Sequence, residues 1–231
     1  MKNWLEKIVR EITRITKRES SSMTWQLDNV YERNKESPYT FYKPSKEVID
    51  SLEVEDLVKL IFFVESDEDG YSGERMWVEI IERNSNHFVG KLENEPYRLK
   101  DLNSGQLIHF RTEHICETEY EDEESIQLDY YLDTLITVNI DVFDKNEFNF
   151  LLRDQSNDDN DSGWVVLSGY EEDEFSNNPD NFQIVALGVI LNIDDSILSF
   201  INEPPLCAYE RNKNGQFEKI EDYDWEGYLN E

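Results

Sequence analysis

Between Val58 and Arg111 the chain places short apolar runs at close intervals, each bounded by turn-forming residues. The runs are Val58 to Val64, Met76 to Glu82, His87 to Leu92 and Gln106 to Arg111. They are short for helices and rich in β-branched and aromatic residues, so they read as strands. Asn84-Ser85-Asn86 makes a hairpin turn, Asn94-Glu95-Pro96 breaks a strand, and Leu102 to Gly105 turns into the next. Strands this short and this closely joined predict a small, strongly bent sheet or partly open barrel over residues 38–116. Ahead of it, Trp25 to Asn34 is weakly helical. Pro38 and Pro44 frame an extended aromatic segment, and Ser45 caps a helix reaching Leu52.

The whole chain reads as α+β. Residues 1–37 form an N-terminal amphipathic helix and linker, in which Trp4, Leu5, Ile8, Val9, Ile12 and Ile15 recur at helical spacing. Residues 117–133 form an acidic connection. Glu117 to Glu124 carries six acids and no base, predicting an exposed and mobile run, while Ile126 to Tyr131 is ambiguous between helix and strand. Residues 134–231 predict an α+β domain with an antiparallel sheet and an acidic tail. Its strands are Leu135 to Phe143, Phe148 to Arg153, Trp164 to Ser168 and a closing hairpin across Asn212 to Gly215. Its one main helix runs from Gln183 to Phe200.

Charge narrows the partners. Fifty-two acids against 22 bases give a formal net charge of −30. Such a field repels nucleic acid and anionic lipid and draws in cationic proteins. With 38% apolar and 13% aromatic residues the chain nevertheless has the means to build a core. The one basic segment is 2–18, with Lys2, Lys7, Arg10, Arg14, Lys17 and Arg18. It is compatible with docking on the acidic body and with a membrane surface. The start lacks the pattern of a secretory signal, no apolar run reaches the length of a span, and Cys116 and Cys207 read as free thiols. A cytoplasmic protein is expected.

No motif calls for a cofactor, a metal or a catalytic residue. Asp158 to Gly163 imitates the front of a calcium loop, but position twelve is Gly169 where a bidentate glutamate is needed. His109, His114 and Cys116 offer at most two ligands on one strand face. The stretch Gly163 to Asn181 is more distinctive: an apolar strand, a glycine, then an acidic loop punctuated by Asn and Pro. Trp164, Tyr170, Glu171, Glu172, Asp173, Glu174, Phe175 and Asp180 there predict a contact surface for a basic protein.

Asp161-Ser162-Gly163-Trp164, Ser168-Gly169-Tyr170-Glu171 and Asn178-Pro179-Asp180-Asn181-Phe182 resemble immunity family 33 of bacterial polymorphic toxin systems, earlier classed as a domain of unknown function. The likeness covers about residues 130–220. Gly73-Glu74-Arg75-Met76-Trp77-Val78 and Gly90 to Pro96 resemble a second uncharacterised bacterial domain, often fused to the first. Glu55-Asp56 and Ser104-Gly105 stand where that pattern has Gly-Asp. The resemblance implies a non-enzymatic protein that neutralises a cognate toxin by binding, with no catalytic residue to carry over. The alternative is a regulatory or scaffold module docked to a protein or membrane through 2–18.

Overall fold

The computed structural model describes residues 25–63 and 73–229. The expected helix at 2–18, its serine linker and most of the acidic loop 65–74 lie outside the described residues. Two compact units are present. One holds residues 25–32 and 43–122, the other 33–42 and 123–229.

The first unit is an antiparallel sheet of β1 (Gln26–Leu27), β2 (Leu57–Phe63), β3 (Gly73–Asn84), β4 (His87–Leu92), β5 (Leu107–Arg111) and β6 (Ile115–Thr118). The order is β1-β2-β3-β4-β5, with β6 also on β2, so the sheet curls nearly closed as the strand spacing predicts. Val58, Leu60 and Phe62 alternate inward against Met76, Val78 and Ile80, and Phe88 stacks on Phe110 at 5.2 Å. The helix α1 (Val30–Glu36) carries the chain out of this unit, and α2 (Lys46–Ser51) returns to it with Ser45 as its cap. The two motif halves of this unit meet. Glu74 is nearly buried, and its carboxylate accepts the backbone N–H groups of Tyr97 (3.1 Å) and Arg98 (2.6 Å). Asn94 Oδ1 accepts the N–H of Trp77 at 2.5 Å. These residues lock a loop onto β3.

The acidic run beyond is not loop throughout. Thr118 ends β6 opposite Val58, and Asp122 is buried, accepting the Ser45 N–H at 2.7 Å. Residues from Glu123 to Asp133 form the helix α3. Acid density predicted exposure, and Glu119, Glu121, Glu123 and Glu124 are exposed; the departures are Glu117, held in β6, and Asp122, buried against Ser45.

The second unit corrects the expected antiparallel sheet to a mixed one. Its strands are β7 (Leu135–Asn139), β8 (Phe150–Arg153), β9 (Asp161–Leu167), β10 (Phe182–Ala186), β11 (Cys207–Arg211) and β12 (Phe217–Lys219). The order is β10-β7-β9-β8-β11-β12, and β7 runs parallel to β9. The strand predicted to reach Phe143 stops at Asn139 and gives way to the short helix α4 (Asp141–Lys145). The main helix predicted over 183–200 is absent. Gln183, Ile184 and Val185 pair with β7 instead, the short helix α5 (Asp173–Ser176) precedes that strand, and α6 (Leu187–Leu191) follows it. Asp194 then caps a 3-10 turn, Asp195–Ser199. Helical spacing counted from Ile184 misled, because Ile184 is 70% exposed while Leu187, Ile190 and Leu191 are buried. The tail packs through α7 (Trp225–Tyr228): Tyr228 donates to Asp154 at 3.0 Å and its ring meets Tyr223.

Candidate functional site

The sequence Trp164-Val165-Val166-Leu167 forms β9 because its side chains alternate between the core and the sheet's half-covered face. Two glycines bracket it. Gly163 holds φ +73°, and a Cβ there would overlap the carbonyl oxygen of Asp154. Gly169, at φ +84°, turns the chain out of the strand. From Gly169 the chain crosses the end of β7 to enter β10 on its far side, so the loop 168–181 lies over the C-terminal ends of two parallel strands.

A polar network holds this loop. Both oxygens of Glu171 turn back and accept the N–H groups of Ser168 and Gly169, each at 2.7 Å. Ser168 is fully buried; its hydroxyl donates to Asp141 Oδ2 (2.7 Å) and accepts the N–H of Tyr170 (3.1 Å). Asn149 Nδ2 donates to the Ser168 carbonyl at 2.8 Å. Asn139, fully buried at the end of β7, accepts the Asp141 N–H at 3.0 Å, while its own Nδ2 has no partner. The far limb is held by Asn181, whose Nδ2 donates to the Phe175 carbonyl (2.9 Å) and whose own carbonyl accepts the Ile140 N–H (2.8 Å).

The predicted contact residues divide by role. Glu172, Glu174 and Asp180 are exposed, Tyr170 is 60% exposed, and Phe175 also reaches the surface. A hydrogen bond to Glu147 raises the Tyr170 pKa and ties its ring to the turn before β8. Asp173 begins α5. Glu171, expected to face a partner, is occupied by its own backbone. Trp164, expected in the contact set, has no exposed surface. Its indole donates to the Ile201 carbonyl (3.3 Å) and Arg153 lies over its ring (5.6 Å), so it supports the loop from the core.

The other candidate groups resolve into local structure. Asp158 and Asp161 accept backbone N–H groups of their own loop, Asn160 and Asp161 for the first, Asn157 and Gly163 for the second. Desolvation opposes these bonds at Asp161, yet the bonds hold its pKa below the usual value. His114 Nδ1 accepts the Arg111 N–H, and burial pushes this imidazole's pKa down. The Cys116 thiol donates to the Lys59 carbonyl, and desolvation raises its pKa to about 12. A 3-10 turn at Thr112–His114 interrupts the single strand assumed for these residues. Among the described residues no group of three or more His, Cys, Asp or Glu is placed to hold a metal ion, and no helix is long and apolar enough to cross a membrane.

Asn139, Asp141, Asn149 and Glu147, which brace the loop, were not singled out in the sequence. The available signal was Asn139-Ile140-Asp141 at a strand end, where Asx residues terminate pairing. Residues 136–221 match the Immunity protein Imm33 domain, and residues 22–148 match an uncharacterised protein conserved in bacteria, DUF2314. No curated protein and no solved structure matches the chain. The second match spans more than half of the 231 residues. The chain belongs to the DUF2314 family of bacterial proteins, here fused to an Imm33 immunity protein domain.

Proposed function

We propose that this protein is a non-catalytic immunity protein that neutralises a cognate bacterial toxin by direct contact. The Imm33 match over 136–221 carries the reading. The geometry supports it: a loop fixed by its own hydrogen bonds presents Glu172, Glu174 and Asp180, with Tyr170 and Phe175 in the same loop. Exposed aromatics and carboxylates on one loop suit a basic partner, and the field of a chain at −30 hastens its arrival. Preorganisation lowers the ordering cost of binding.

The test pairs the chain with the toxin it is proposed to neutralise. A blocker protects only up to stoichiometric amounts, whereas an enzyme protects at far lower ratios. Glu172→Lys with Glu174→Lys is expected to slow association about tenfold at low ionic strength and to flatten its salt dependence. An unchanged association rate removes the loop from the interface. Absence of any complex sinks the reading as a whole.

A further inference from the structure

Helix α3 buries little of its apolar surface. Leu128 points into the unit, but Ile126 is 67% exposed and Tyr130 44% exposed, one helical turn apart. Together with Tyr131 they form one wall of a hollow of about 610 Å3, whose other wall is Leu198 and Ile201. The wall is held in place. Tyr131 meets Tyr39 edge-on at 5.5 Å and Tyr130 at 5.7 Å, and Tyr39 donates its hydroxyl to Asp195 at 2.6 Å. Apolar side chains left outside on a fixed frame mark a contact surface.

The charge around the hollow selects what fills it. Helix α3 carries Glu123, Glu124, Asp129 and Asp133 and no lysine, arginine or histidine, and Glu123 lines the hollow itself. The opposite wall, 194–203, adds three acids and again no base. Of these, Asp194 is paired with Arg211 at 2.6 Å and Glu203 with Lys219 at 3.9 Å, so the unneutralised charge lies mainly on the α3 side. A second copy of the chain would bring the same acids against these, so a symmetric dimer through this face is opposed by its own charge. Among the described residues no strand borders the hollow, so an extended peptide would leave its backbone groups unpaired, whereas a helix satisfies its own. We infer that the groove between α3 and residues 198–202 takes an amphipathic, cationic helix from a protein partner, its apolar stripe on Ile126 and Tyr130 and its bases toward the acidic walls. This goes beyond the toxin reading, because the groove and the 168–181 loop are separate surfaces and either can fail alone.

The experiment uses the full chain and a fluorescent amphipathic peptide of lysine and leucine, about 12 residues long, to match the roughly 16 Å of α3. Binding is followed by anisotropy at about 0.15 M salt, where long-range attraction is largely screened. The leucine peptide is expected to bind at least about tenfold tighter than a serine-for-leucine peptide of equal charge, and a glutamate-for-lysine peptide is expected not to bind. Ile126→Ser with Tyr130→Ser is expected to weaken binding about tenfold with an unchanged thermal midpoint, and Glu172→Lys with Glu174→Lys to leave it unchanged. Should the double serine variant fail to fold, Gln127→Arg, which sets a cation at the groove, is expected to weaken binding about threefold. Equal binding of the leucine and serine peptides overturns the inference. So does wild-type affinity in the folded groove variants, or a self-association that those variants abolish.

Discussion

At Arg153 and Arg211 the guanidinium is turned inward. Arg211 donates to the carbonyls of Phe148 (3.2 Å) and Gly215 (2.8 Å), pairs with Asp194, and lies 4.2 Å from the Phe217 ring centre. Arg153 donates to the carbonyls of Ser162 (3.1 Å), Ile201 (2.9 Å) and Glu203. These cations mainly tie backbone together, and only Arg211 also neutralises a carboxylate, that of Asp194. Glu171 is the acidic counterpart, and its chemistry sets a prediction. Glu171→Ala removes two charge-assisted bonds to backbone N–H groups and is expected to cost about 2 kcal/mol in urea unfolding, with Glu171→Gln costing about half. A loss within error would mean the loop folds without it. Composition could not single this residue out. Its neighbours Glu172 and Glu174 are the same kind of residue, and only the turn at Gly169 decides which carboxylate meets the amides.

At the scale of elements, β2 to β5 were legible because each buries one face and pairs with its sequence neighbour, whereas the two-residue β1 and β6, which pairs back to β2, were not. β4 spans His87–Leu92, as the alternation predicts. Pairing across long sequence separations was not legible. The parallel contact of β7 with β9 places a strand between two that follow each other only after α4, and nothing local encodes that. The same blindness turned β10 into part of a helix. Gly163 is the element-scale test. Gly163→Ala places a methyl against the Asp154 carbonyl at a φ that side chains avoid, and is expected to cost about 3 kcal/mol in thermal unfolding. A variant as stable as wild type would mean that the β8–β9 connection relaxes freely.

Across the whole molecule the surplus of carboxylates governs how copies meet. The loop surface and the α3 groove are both displayed on a protein that repels itself at neutral pH, which favours unlike partners over like ones. Titration from pH 7 toward the sequence pI of about 4.3 protonates those carboxylates and removes the repulsion. Light scattering is expected to rise as that point is approached and to fall again below it, where the sign of the charge reverses. Flat scattering through that range would show that charge is not what keeps the copies apart.

Among the described residues β10 ends its sheet, with one row of backbone groups lacking a strand partner and Ile184 standing beside them. A bare rim of this kind is a template on which a foreign strand can nucleate. Like-charge distance is then its guard, and the place where acid-induced clumping should begin is this rim.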